Sequence, residues 1–169
     1  MQLGLGTTPA RGRSMTALLL LLAAAPADQV PPALVLDILC RHYPKALPRQ
    51  VARAARRAHV PADLMAATVG AESTCDNRKI SRKGAIGFGQ LLPGGSAAKH
   101  HPAKQLRRVG LNLRLTAEHL AKGLRLCGGS WSQAVAFYSG VWPCQATTWS
   151  ERVMEAVEKA RPRIEMEGR

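Results

Sequence analysis

Apolar residues return every three or four positions along most of this chain, the spacing that gathers them on one face of an α-helix, and the strict alternation that marks strands is scarce. Residues 33–42 form a first helix that offers Leu34, Leu36 and Ile38 to a core, and Pro44 closes it. Pro48 opens a second, with Val51, Ala54, Ala55 and Ala58 on one face and Arg49, Arg53, Arg56 and Arg57 on the others. Pro61 restarts the chain into a third helix over 62–73, whose stripe of Met65, Thr68 and Val69 leads to Glu72. Gly84, Gly87 and Gly89 then force a loop, which ends at Pro93-Gly94-Gly95. The longest periodic segment, 105–127, steps through Leu106, Val109, Leu113, Ala117, Leu120 and Leu124 and is expected to be the central core helix. Ser130 and Gln133 have the spacing of a capping box, opening a helix that runs through Ala134, Val135, Phe137 and Tyr138 to Gly140. A last amphipathic helix over 149–160 is expected to stop before Pro162. The fold class that follows is all-α.

The first 27 residues break the pattern. Two arginines, the apolar run Ala17 to Ala25 and the small-x-small triplet Ala25-Pro26-Ala27 form a signal peptide, with cleavage expected after Ala27. The run is roughly half the ~20 residues a bilayer span requires, so no membrane span is expected once the signal is removed. The rest divides into a helical lead over 28–47, a main domain over 48–160 and a tail over 161–169, destined for the periplasm or the medium. Cys40, Cys75, Cys127 and Cys144 all follow the signal, and an even set in an oxidising compartment implies two disulfides. Three pairings are open. Cys127 with Cys144 would close a short loop worth about 3 kcal/mol in the chain-entropy model, and would leave Cys40 with Cys75. No Cys-x-x-Cys or His-x3-His spacing is present, so no metal or other cofactor is expected.

Charge adds a partner class. Lys and Arg number 24 against 11 acids, a formal net charge of +13 that favours nucleic acid, anionic membrane or acidic wall polymer. Arg49 to Leu64 also reads as helix, turn, helix, the outline of a DNA-binding module. Export and the mostly apolar second helix argue against that rival, and no nucleic-acid partner is expected.

Candidate chemistry rests on few acids. Between Cys40 and Ser150 these are Asp63, Glu72, Asp76 and Glu118. Asp63 stands in the first turn of its helix, where the positive dipole end suffices to explain it, and Glu118 lies off the apolar stripe, in solvent. Glu72 falls on the buried face at the C-terminal end of its helix, where desolvation and the negative dipole end both disfavour its charged form. Its pKa is expected to be raised, which leaves a proton to donate near neutral pH. Arg78 and Lys79 stand close enough to pull it down again, and a buried glutamate can also be simply hydrogen-bonded. Asp76 is the nearest second carboxylate, which keeps a two-carboxylate lysozyme open. Five of the seven aromatics crowd into 131–149. Trp131 and Phe137 read as core, whereas Tyr138 and Trp142 are placed to stack on sugar faces.

Three segments in order resemble a known family. Ala71-Glu72-Ser73 resembles a catalytic Glu-Ser at a helix end. Gly84-Ala85-Ile86-Gly87-Phe88-Gly89-Gln90-Leu91-Leu92-Pro93 resembles Gly-Ala-x-Gly-Leu-Met-Gln-x-x-Pro, and Ala134-Val135-Ala136-Phe137-Tyr138-Ser139-Gly140 resembles Ala-Leu-Ala-x-Tyr-Asn-x-Gly. Asn112 and Leu120 resemble the Asn-Ile...Tyr-Leu helix between the last two. The family is the single-domain soluble lytic transglycosylases, SLT type, whose fold is shared with goose-type lysozyme. The resemblance implies that Glu72 is the sole acid and base and that the substrate is a peptidoglycan glycan strand. Gln90, Tyr138, Ser73, Phe88 and Trp142 are then the expected sugar-binding set, with Tyr138 helping to hold the glutamate. Phe88-Gly89 stands where Leu-Met is usual, removing a groove-lining side chain, and Ser139 replaces the asparagine. A monomer is expected, in some settings accompanying secretion, pilus or conjugation machinery that crosses the wall. The rivals are a muramidase that uses the same glutamate with water, and a scaffold with a dead site.

Overall fold

The computed structural model describes residues 29–167, with side chains as far as Arg161. The expected signal peptide lies outside the described residues. Seven helices follow in order: α1 (Pro32–Leu39), α2 (Leu47–Ala58), α3 (Ala62–Ser73), α4 (Ala103–Leu106), α5 (Val109–Leu126), α6 (Trp131–Tyr138) and α7 (Thr148–Glu167). No strand occurs among the described residues. Two isolated bridges, Ile80 with Ile86 and Ile86 with Leu91, pin the long loop between α3 and α4.

The central position expected for 105–127 belongs instead to α3. Every residue from Asp63 to Gly70 is buried, and α1, α2, α5 and α7 all pack against it. The reason lies in its side chains: small and apolar residues surround the whole helix rather than one stripe, so it can be covered on all sides. Gly70 permits the closest approach, since a Cβ there would lie 2.7 Å from the Leu39 side chain. Such burial also removes the helix-turn-helix rival, because the would-be recognition helix has no face to present.

The segment 105–127 is not one helix. Asn77 Nδ2 donates to Arg107 O at 3.0 Å and Asn112 Nδ2 donates to Leu106 O at 2.9 Å, taking carbonyls that a continuous helix would use. It therefore splits into α4 and α5. In α5 the expected stripe is kept: Leu113, Ala117 and Leu120 are buried, while Arg114, Glu118 and Lys122 face solvent.

Three further boundaries differ from expectation. Helix α1 ends at Leu39, with Cys40 extended, where a disulfide to Cys75 takes over. Helix α7 passes Pro162 and runs to Glu167. Ser130 makes no side-chain cap to α6; the reciprocal cap occurs at α7, where Thr147 N donates to Ser150 Oγ at 2.8 Å and Ser150 N donates to Thr147 Oγ1 at 3.1 Å.

Cysteines pair as Cys40–Cys75 and Cys127–Cys144, with Cα separations of 5.8 and 5.5 Å. The lead over 29–47 belongs to the main core, since Val30, Leu34, Val35 and Leu36 are buried within it.

Candidate active site

Glu72 sits one residue before the end of α3, where the helix closes with Thr74 in the left-handed conformation and its N–H on Gly70 O at 2.8 Å. Ser73, expected to touch sugar, is fully buried and engaged elsewhere: its hydroxyl donates to Val69 O at 2.9 Å and accepts from Cys75 N at 3.2 Å. Its work is to hold the turn that carries Glu72. The carboxyl of Glu72 has no hydrogen-bond partner among the described residues. Burial pushes its pKa up to about 7, and the Lys79 ammonium acts in the opposite direction. Lys79 is fixed there by donating to Glu72 O at 2.8 Å. Arg78, the other expected neighbour, pairs with Asp76 at 3.1 Å and holds that carboxyl below its ordinary range.

The loop facing Glu72 is shaped from beneath by Asn112. Fully buried on α5, Asn112 donates to Ile86 O at 2.9 Å and accepts from Gly89 N at 2.8 Å. Gly87, at φ 77°, has no room for a Cβ against Asn77 and Asn112. Gln90 follows at φ 48°, a left-handed conformation costly for a residue with a side chain, and its Nε2 donates to Gly87 O at 3.0 Å and Lys79 O at 3.2 Å. Among the described residues the amide oxygen of Gln90 has no partner, which makes it available to a ligand N–H or O–H. Tyr138 OH donates to Gly89 O, joining α6 to this loop. The phenol therefore holds the opposite wall rather than the glutamate.

Together these elements enclose a cleft of about 590 Å³, in which Glu72 meets Gln90, Tyr138, Ser139, Lys83 and Trp149. Glu72 is the one carboxylate among its described lining residues. A second hollow of about 260 Å³ continues from it past Gln90 and Tyr138 to His119. A larger hollow, about 830 Å³, lies between the α1–α2 connection and residues 74–78; it holds Asp76 but not Glu72. Asp76 is thereby separated from the cleft.

Residues 49–153 match the family model of the Transglycosylase SLT domain, a span that contains every residue lining the cleft. The chain belongs to this family. No curated protein matches it closely enough to count as a relative. The lysozyme-like helical fold is thus that of an SLT domain, whose members cleave glycosidic bonds of peptidoglycan outside the cytoplasm.

Within this SLT domain the expected sugar-binding set divides. Gln90 and Tyr138 line the cleft. Phe88 does not: its ring is 1% exposed and packed in the main core, because the left-handed turn at Gly87 directs it inward. Gly89 is required by its surroundings, since a Cβ there would collide with Thr116 Oγ1 and Tyr138 OH. The missing groove-lining side chain is therefore built into the packing of this chain. Trp142 is 65% exposed, edge-on to Phe137, and outside the lining of the cleft; Trp149 at the start of α7 supplies the aromatic wall instead.

Thr147 and His119 are among the residues that sequence reasoning missed. Thr147 lines the cleft through the α7 cap, and the T-x-x-S spacing of Thr147 and Ser150 was there to be read. His119 lies between Phe137 and Tyr138, tilted against the first and edge-on to the second, and burial lowers its pKa to about 4, so it is a neutral ring in the adjoining hollow. Only its place on the inner face of α5 signalled this.

Proposed function

We propose that this chain cleaves the β-1,4 bond between N-acetylmuramic acid and N-acetylglucosamine, with Glu72 as the only protein acid and base, and leaves 1,6-anhydro ends. The observation that carries this reading is a cleft carboxyl that is single and free of hydrogen bonds among the described residues, with its pKa raised to about 7. A group poised there is protonated often enough to donate and basic enough to accept. Glu72 gives its proton to the glycosidic oxygen as the bond from that oxygen to C1 breaks. The muramic N-acetyl oxygen stabilises the cationic C1, and the Glu72 carboxylate takes the proton from the 6-hydroxyl as O6 closes on C1. Atoms balance without water, and Glu72 ends protonated for the next turnover.

The other cleft residues support binding. Trp149 and Leu92 offer apolar surface to sugar faces, Ser81, Ser139 and Thr147 offer hydroxyls, and the free oxygen of Gln90 accepts from an N–H or O–H. Lys83 adds a positive charge for carboxylates of the peptide arms. Residues 1–27 act as a cleaved export signal in this reading. Digestion of purified sacculi followed by mass spectrometry of the fragments tests it: anhydro ends lack one water relative to the hydrolysed ends a muramidase would leave. Hydrolysed ends, or undiminished release by Glu72→Gln, would overturn it.

A further inference from the structure

Arg49, Arg53, Arg56 and Arg57 stand at successive offsets of four, seven and eight along α2, so all four guanidinium groups leave the helix on one side. All are exposed, and none makes an ion pair or side-chain hydrogen bond with a described residue. Helix stability does not account for the set. Arg56 and Arg57 complement the negative end of the dipole in the last turn, but Arg49 lies in the first turn, against it. The pairs Arg49/Arg53 and Arg53/Arg57 are like charges at i,i+4, which repel, and α2 carries no acid to relieve them.

Beside the stripe, α2 and α5 enclose a hollow of about 250 Å³. Arg53, Arg57 and Arg114 line it with the small apolar Ala54 and Ala58, and its one carboxylate, Glu118, is already paired with Arg114 at 2.9 Å. No residue of this hollow belongs to the cleft around Glu72.

We infer that the arginine face of α2, with the adjoining hollow, is a second and non-catalytic binding surface for the wall polymer, which takes carboxylates of its peptide arms. A guanidinium fork meets a carboxylate through two parallel N–H···O bonds, and arginine alone, never lysine, is used on this face. Peptidoglycan repeats carboxylates along every arm, so a chain with one strand in its cleft has other arms within reach. A bilayer fits less well, because the exposed large apolar side chains, Ile80, Leu92, Leu126 and Trp142, all lie off α2 and off the hollow. The inference rests on the wall reading above.

The test uses the full mature chain with Glu72→Gln, so that sacculi are bound without being cut. Combining Arg53→Gln with Arg57→Gln is expected to weaken pelleting with sacculi by about tenfold at moderate salt and to flatten the salt dependence. Lys99→Gln with Lys104→Gln removes the same charge from exposed positions elsewhere and should change binding by less than about twofold. On sacculi whose carboxyls have been amidated, the arginine variant should bind as well as its parent. Equal losses in the two double variants, or a difference that survives amidation, would overturn the surface. In the Glu72-intact chain, kcat on short soluble fragments should be unchanged by the arginine substitutions. Failure of that chain to release any fragment would instead sink the catalytic reading, leaving the pelleting comparison intact.

Discussion

The two ends of α3 each carry a carboxylic acid whose pKa is raised, fully buried Asp63 and half-buried Glu72, and their surroundings differ. Asp63, in the first turn, is fully buried, and burial pushes its pKa up. It is also satisfied: it accepts from Leu64 N at 2.9 Å and from Val30 N at 3.2 Å, and these bonds pull the pKa back. Glu72, in the last turn, is offered no N–H, because a helix presents donors at its N-terminus and carbonyls at its C-terminus. Among the described residues its charged form is supported by Lys79. The same residue class on the same helix is thus a structural clamp at one end and, in the function proposed above, a proton donor at the other. Which it becomes is decided by the direction of the backbone.

The largest effect expected from breaking this contrast is on turnover. Glu72→Gln should lower fragment release from sacculi by about 10²–10⁴-fold, whereas Asp63→Ala, assayed where it is still folded, should stay within a few-fold of the parent. A comparable loss in both would abolish the distinction.

Next in size is a pH-dependent gain in stability. Folded Glu72 keeps its proton up to about pH 7, while the unfolded side chain releases it near 4.5. Between those values the folded state binds more protons, so stability falls as pH rises and the contribution is gone above about 7. Glu72→Gln has no such proton to lose. Urea unfolding should find it equal to the parent at pH 4 and more stable at pH 8, by up to about 3 kcal/mol. A difference that did not vary with pH would show that folding does not raise the Glu72 pKa.

Asp63→Ala should cost about 1–3 kcal/mol, since two buried N–H groups lose their acceptor. Thermal unfolding measures this, and it should release the lead segment that begins at Val30. The smallest effect concerns Lys79. Lys79→Met removes a positive charge acting on Glu72, so the alkaline limb of the pH–rate profile should move to higher pH, while Lys79→Arg should leave it near its original place. An unmoved limb in Lys79→Met would assign that limb to another group.

Glu72 was legible because helical spacing is local: Met65, Thr68 and Val69 share its face, and the helix end could be placed from Pro61. Lys79 was visible as one of two neighbouring cations, but choosing it over Arg78 needed the turn at Thr74 and Cys75. The exposed position of Glu118 and the apolar face of α5 followed from the same periodicity. Ser73 was misplaced because its hydroxyl turns back onto Val69 O within α3, a choice its place beside Glu72 does not reveal, and Phe88 because side-chain direction in a run of left-handed turns is not periodic. The break at Arg107 and Arg108 was hidden, since neither residue is a helix breaker; Asn77 and Asn112, remote in sequence, take the carbonyls.

By itself, the sequence determined an all-α chain, the positions of most helices, an even set of cysteines and one acid at a helix end suited to proton transfer. Each of these follows from residues within a few positions of one another. Tertiary structure alone decided that α3 is the covered centre, that Trp149 rather than Trp142 walls the cleft, that Asp76 faces another hollow, and that Glu72 is dry enough to hold its proton. Those outcomes depend on which surfaces are removed from water, and desolvation is a property of the assembled fold rather than of any segment.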